Sequence, residues 1–283
     1  MISVESWMRD RIGDTTLGPK SEQVLRLFAT QPEFTSYASA SAIARRAGAD
    51  AATVVRTARN LGFSGWPELR LELRNRYLAS LNASEVLSEH NKDASDPILR
   101  AIRSDLDQVA LLARTVDTAE VRNIASAIAR SRRTIVIASG AFSGPAYQLA
   151  HVAAFSGVDI EFVARGGTTL TNALARLGPG DCLVAINFWR LLREICVATQ
   201  IAYEAGVTTC VITDLRQQPI TEVARHQVIV PCEGTSHFPS LTPAMAVVHG
   251  MLAEIAKQLG DAGRRSTTHI ESLWADMGVM YEP

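Results

Sequence analysis

Apolar residues recur at helical spacing over the first 81 positions, and from residue 134 onward they form short runs separated by helical segments, so the pattern predicts two unlike halves. Residues 4–12 read as a first helix. A second starts at Ser21-Glu22-Gln23 with Val24, Leu25, Leu27 and Phe28, and Gln31-Pro32 breaks it, because proline disfavours the helical conformation of the residue before it. Ser41 reads as the cap of a short helix with Ile43, Ala44 and Ala47 inside and Arg45 and Arg46 outside. Gly48 supplies a left-handed exit, and Asp50 a capping carboxylate for the next helix, 51–61. That helix places Val54, Ala58 and Leu61 on one face and Ala52, Thr53, Arg56, Thr57 and Asn60 on the other. After Pro67 a fifth helix, 68–81, carries Leu69, Leu71, Leu73, Tyr77, Leu78 and Leu81.

The polar stretch 82–97, ending in Asp96-Pro97, is expected to be a linker. Helices at 98–114 and 119–130 precede Thr134-Ile135-Val136-Ile137-Ala138, an apolar run that reads as a buried parallel strand. Helices at 145–155, 169–177, 192–205 and 219–224 then alternate with strands at 160–163, 182–186, 209–213 and 227–230, and a long helix at 243–259 closes the pattern. Such alternation predicts a doubly wound, mostly parallel α/β sheet covered on both faces. The expected organisation is an all-α domain over 1–81, the linker 82–97, an α/β domain over 98–260 and a tail over 261–283 that can be helical.

The helix pair 41–61 has the form of a helix-turn-helix. Its second helix is small, polar and cationic on the outside, which suits the major groove: small residues allow close approach, and Thr, Asn and Arg reach phosphates or base edges. An ordinary helical hairpin with a solvated face has the same pattern. Charge adds weight, because across 41–76 Arg45, Arg46, Arg56, Arg59, Arg70, Arg74 and Arg76 stand against Asp50, Glu68 and Glu72, although the 283-residue chain has a net charge of −1.

The continuation, Gly62-Phe63-Ser64-Gly65-Trp66-Pro67-Glu68-Leu69, resembles the LGFSGFPELK element that follows the recognition helix in the RpiR family of bacterial transcriptional regulators. The family's A-x-x-A-G-(V)-S-x-x-T-V-x-R pattern is matched by Ala44, Ala47, Gly48, Thr53, Val54 and Arg56. Its usual Val-Ser at the turn is Ala49-Asp50 here, which keeps a capping side chain and loses an apolar contact. The resemblance covers about 21–81. With it, Arg45, Ala52, Thr53, Arg56, Thr57 and Asn60 become the expected DNA-binding set, and a double-stranded operator the expected partner.

Cys182, Cys196, Cys210 and Cys232 are widely spaced in apolar contexts, without a C-x-x-C pair or a nearby His at ligand spacing, so they read as buried thiols; no metal and no cofactor is expected. The N-terminal residues lack the apolar core of a signal peptide, and no apolar run reaches membrane-spanning length. A bacterial cytoplasmic location with no membrane partner is expected.

In an open α/β sheet the ligand crevice lies outside the carboxyl ends of the strands, which singles out the loops after Ala138, Ile186 and Thr213. The first, Ser139-Gly140-Ala141-Phe142-Ser143-Gly144, opens onto a helix whose N-terminus can hold an anion, or is simply a tight connection. Strand, Gly-x-Ser turn, helix, Gly157, strand, then 181–186 and 205–214, are similar to the sugar isomerase (SIS) domain, the usual C-terminal partner of the RpiR helix-turn-helix; this likeness spans about 98–259. It implies a phosphosugar site in which Ser143 matches the serine of the first turn. The second loop departs from it. Where phosphosugar binders carry I-S-x-S-G-x-T, this chain has Ile186-Asn187-Phe188-Trp189-Arg190-Leu191-Leu192-Arg193-Glu194, closer to the I-S-F-P-R-Y-x-R-E-T version of some RpiR members. Ser240-Leu241 resemble the S-L of the S-x-x-S-L-x-A element of these regulators, with Ser236 as its first serine one position out of spacing, and His237 reads as solvent-facing. The expected ligand set is therefore Ser139, Ser143, Gly144, Asn187, Arg190, Ser236 and Ser240.

These readings predict a DNA-binding transcriptional regulator, not an enzyme, whose SIS-like domain senses a small effector, a sugar phosphate or related anion. The alternative is a phosphosugar isomerase or a non-catalytic sugar-phosphate-binding SIS protein; Glu194 is the one acidic residue in the pocket loops suited to act as a base, and an isomerase has no need of the helix-turn-helix. Paired modules reading two half-sites require at least a dimer, a homodimer or homotetramer held mainly by 98–260, with Trp189 and the helix from Pro243 contributing.

Overall fold

The computed structural model describes residues 4–13, 15–90, 96–216 and 218–281, so residues 91–95 of the expected linker lie outside the described residues. The chain divides into two compact units between Pro97 and Ile98, and the segment Thr235–Phe238 groups with the first.

The first unit is helical: α1 (Val4–Ile12), α2 (Pro19–Thr30), α3 (Pro32–Tyr37), α4 (Ala40–Arg46), α5 (Ala51–Asn60), α6 (Trp66–Ser80) and α7 (Ala83–His90). Two of these depart from expectation. Pro32 ends α2 as predicted but also opens α3, since a first-turn position does not miss the N–H that proline lacks. The expected linker contains α7, whose start is a reciprocal cap: Glu85 N–H donates to Asn82 Oδ1 at 3.0 Å and Asn82 N–H to Glu85 Oε2 at 2.7 Å.

The core of this unit gathers Trp7, Met8, Val24, Phe28, Ile43, Val54 and Leu69, among others. Fully burying a side chain such as Phe28 or Leu69 stabilises by roughly 1.5–3 kcal/mol relative to exposure. The element after α5 explains its own sequence. Gly62 (φ 83) turns the chain, Phe63 N–H returns to Ala58 O at 3.1 Å, and the Phe63 ring enters the core edge-on to Trp7 at 6.1 Å. Trp66 stacks on Phe28 at 5.4 Å and donates its indole N–H to Ala38 O at 3.3 Å.

The second unit contains α8 (Pro97–Thr115), α9 (Thr118–Arg130), β1 (Thr134–Ile137), α10 (Ser143–Phe155), β2 (Ile160–Val163), α11 (Thr168–Leu174), β3 (Cys182–Ile186), α12 (Arg193–Glu204), β4 (Thr208–Thr213), α13 (Pro219–Glu222), β5 (His226–Ile229) and α14 (Thr242–Asp276). The strands form one sheet in the order β2-β1-β3-β4-β5, every pairing parallel. Alternate residues serve opposite faces. Ile135, Ile137, Leu183, Ala185 and Val211 pack with Leu170, Ile195, Ala198 and Ile220 from α11 to α13, whereas Val136, Cys182, Val184, Ile186, Cys210 and Ile212 pack with Ile124, Leu149, Val248 and Met251 from α9, α10 and α14. This is the expected doubly wound sheet.

The expected tail is not separate. After a break at Gly260 (φ 53, ψ −124) helical structure resumes to Asp276, and Trp274 stacks on Phe155 of α10 at 5.0 Å.

Candidate functional site

In the first unit α4 and α5 form the predicted pair. The cap of α4 is Ser39, whose Oγ accepts the Ala42 N–H at 3.2 Å; Ser41 lies exposed on the helix instead. Asp50 caps α5 as predicted, accepting the Thr53 N–H at 2.7 Å, and this bond holds its carboxyl below the usual range. Gly48 sits at φ 61 in the turn.

The outward face of α5 carries Ala51, Ala52, Arg56, Arg59 and Asn60, and Arg45 is exposed on α4. Thr53 and Thr57 are not on that face: both are fully buried. Thr57 Oγ1 donates to Thr53 O at 2.8 Å, and Thr53 Oγ1 accepts from Arg56 Nη2 at 2.9 Å. Together with Val54 and Ala58 they widen the inward stripe, which abuts α2, α4 and α6. Arg59 and Ala51 share this exposed face and were not in the expected set. Arg59 stands three residues after Arg56 on one helical face, a spacing that was available in the sequence.

In the second unit the chain runs from β1 out to β2 and back across to β3, so the winding direction reverses between β1 and β3. A ligand crevice forms at the carboxyl ends of strands at such a reversal. The two loops that leave those ends are the predicted ones. Ser139 is followed by a 3-10 turn at Gly140–Phe142 and α10 begins at Ser143; Ser139 and Ser143 are partly exposed and Gly144 is exposed. Phe142 meets Phe188 of the second loop edge-to-face at 5.6 Å, which ties the two loops together.

The second loop is held by hydrogen bonds that the sequence did not reveal. Asn187, 1% exposed, donates its side-chain amide to Arg190 O at 3.1 Å and accepts Leu192 N–H at 3.3 Å. Its polar atoms are occupied by the loop's own backbone, so it shapes the crevice instead of lining it with free donors, contrary to expectation. Trp189 has a left-handed backbone (φ 62), and its N–H donates to both oxygens of buried Asp214 after β4. Arg190 is exposed, with its guanidinium 4.7 Å from the Trp189 ring centre. Asp214 was missed because only the register of β3 and β4 brings the two loops together. Cys232 donates its thiol to Asp214 at 3.5 Å, and burial pushes that thiol well up.

The remaining predicted residues make contacts of their own, and Ser240 N–H donates to the carbonyl of Cys232 at 2.8 Å. Ser240 Oγ accepts the Thr242 N–H at 3.3 Å and donates to Thr242 Oγ1 at the head of α14. Ser236 belongs to the segment grouped with the first unit, where its carbonyl accepts from His90 Nδ1 at 2.8 Å. Exposed His237 lies with Nδ1 3.2 Å from Ala83 O. Glu194, at the start of α12, accepts the Gly167 N–H at 2.6 Å. Three of the four cysteines are buried and Cys196 is partly exposed, and no cluster of three metal-ligating side chains occurs among the described residues.

Residues 15–80 match the helix-turn-helix domain of the rpiR family. Over 203 residues the chain is 28% identical to the HTH-type transcriptional regulator YfhH of Escherichia coli (strain K12), covering 69% of this chain and 71% of that protein. The solved sugar isomerase domain of an RpiR transcription factor from Sphaerobacter thermophilus is 27% identical, with a TM-score of 0.59 over 62% of this chain and 97% of that one. The Vibrio vulnificus NanR protein, solved in complex with ManNAc-6P, shares the fold over 99% of this chain and 100% of its own, at a TM-score of 0.62 and 17% identity. The chain thus carries a helix-turn-helix that matches the rpiR family over residues 15–80, followed by a unit with the sugar isomerase-domain fold, and it is similar to HTH-type transcriptional regulators over most of its length.

Proposed function

We propose that this regulator reads its operator with the outward face of α5 and that a small anion in the β1/β3 crevice, a sugar phosphate or related acid, adjusts that binding. The observation that carries the effector reading is the meeting of the Ser143–Gly144 helix start with the loop bearing Arg190, joined through Phe142 and Phe188. Backbone donors at a helix N-terminus and a guanidinium both favour an anion. The phosphosugar bound by NanR, whose fold this chain shares, supports the same ligand class. Of the expected ligand set, Ser139, Ser143, Gly144 and Arg190 remain in this proposal.

A regulatory rather than catalytic role is supported by Glu194, whose carboxylate is engaged by the Gly167 amide and thereby anchors the loop after β2. Pairing of two copies, as a homodimer or homotetramer, is supported by α8: Ile98, Leu99, Ile102 and Leu106 are 69%, 51%, 53% and 66% exposed and repeat at helical spacing. No helix among the described residues is long and apolar enough to cross a membrane, and a DNA partner places the protein in the bacterial cytoplasm in this reading.

The test is operator binding by fluorescence anisotropy, using DNA upstream of the protein's own gene, with and without a panel of sugar phosphates that includes N-acetylmannosamine 6-phosphate, and of carboxylates. An effector must change operator affinity by its own differential affinity for the free and DNA-bound forms. A panel in which no compound binds the protein by calorimetry or alters the anisotropy curve would remove the effector half of the proposal.

A further inference from the structure

The second unit has another concave site, on the opposite edge of the sheet from the crevice. A cavity of about 390 Å³ opens where the amino ends of the strands meet the end of α9. Arg130 is the last residue of α9, Thr208 the first of β4, and Arg225 and His226 stand at the entry to β5; Ser126 and Ser131 complete the wall. These segments are far apart in the chain and converge only through the parallel register.

The charge of this cavity leans positive, because Arg130 and Arg225 outnumber the one nearby carboxylate that no guanidinium pairs, Glu120 beside His226. Asp181 lies in its wall, but both oxygens are taken: Oδ1 accepts from Arg132 Nε at 3.0 Å, and Oδ2 from Arg132 Nη2 at 2.8 Å and from Gly178 N–H at 2.9 Å. The Arg132 guanidinium also holds that carboxyl below its usual range. Arg130 and Arg225 make no ion pair among the described residues. The terminal carbonyls of α9 would oppose an anion, yet two of them are already satisfied, that of Ala127 by Ser131 N–H at 3.1 Å and that of Ile128 by Ser131 Oγ at 3.0 Å. His226 adds a ring whose Nδ1 is buried without a hydrogen bond, 3.4 Å from Glu120 Oε2. Two guanidiniums without an ion pair around a concavity focus positive potential inside it, and the Ser126 hydroxyl beside them can supply a short donor to a phosphate oxygen, the Ser131 proton being held by Ile128 O. The volume falls at the low end of the range for small-molecule sites, roughly 300–1,000 Å³.

We infer that this amino-edge cavity is a second anion site, taking inorganic phosphate or a small phosphate monoester between Arg130 and Arg225. It stands independently of the crevice and of the effector proposed there.

Histidine-selective proton–carbon NMR of the full chain tests it, with the His226 signal assigned as the one lost in His226→Gln. At constant pH and ionic strength, inorganic phosphate moves the His226 signal saturably and chloride does not. Glycerol 3-phosphate separates the sources: a matching shift points to a phosphorylated metabolite, and its absence to free phosphate. Arg130→Ala with Arg225→Ala requires at least tenfold more phosphate for the same shift, the double Lys variant stays close to wild type, and Ser143→Ala in the crevice leaves the titration unchanged. A His226 signal that does not move at saturating phosphate, or that titrates alike in wild type and the double Ala variant, overturns the inference.

Discussion

The backbone N–H of Trp189 lies 3.1 Å from each carboxylate oxygen of Asp214, a residue only 2% exposed. Trp189 is the one non-glycine residue at positive φ among the described residues, a conformation that costs of order 1–3 kcal/mol and persists only where the surroundings impose it. Asp214→Ala leaves a buried donor unpaired and is expected to destabilise by about 1–3 kcal/mol. Asp214→Asn keeps an acceptor oxygen and loses less. Urea unfolding that ranks both variants with wild type would show the clamp to be idle.

On DNA, Arg56 and Arg59 share an exposed face while Thr57 is buried. Arg56→Ala and Arg59→Ala should each weaken operator binding and reduce the slope of log affinity against log salt by about one. Thr57→Ala should leave that slope intact and cost about 1 kcal/mol of stability through its lost bond to Thr53 O. A reduced salt slope in the Thr57 variant would put its hydroxyl in the interface after all.

Asp50 has its carboxyl lowered in the folded state, first by the Thr53 N–H. A carboxyl lowered on folding contributes stability that is present above its unfolded value, about 3.9, and is lost as pH falls through the lower folded value. Asp50→Ala should therefore lower the melting temperature at pH 7, and the gap from wild type should close as the pH drops below about 4. A gap independent of pH would assign the loss to something other than this charged cap.

The exposed stripe on α8 predicts the assembly. Ile102→Asp with Leu106→Asp should convert the protein to a monomer in sedimentation and weaken operator binding by about 10²-fold or more, because linked modules gain effective concentration that a single module lacks. Unchanged sedimentation would locate the interface elsewhere.

The helix-turn-helix was legible because its signals are local: Asp50 bonds three residues ahead, Gly48 turns the chain, and Val54, Ala58 and Leu61 repeat at helical period. The strands were legible for a similar reason, since residues buried on both faces form apolar runs such as 134–138. The start of α7 was also present as Asn82 and Glu85, and the polar composition around it concealed the cap. How wide a face of α5 is covered was not local. Neighbouring helices cover more of it than the apolar residues alone mark, and this turns Thr53 and Thr57 inward. The same holds for the crevice, where Asp214 grips Trp189 across the β3/β4 register, and for the amino-edge cavity, where Arg130 and Arg225 come to share one wall. A residue's periodic position reports its own helix or strand, whereas its neighbours across a parallel sheet lie beyond a crossover helix and are chosen only when the whole sheet closes.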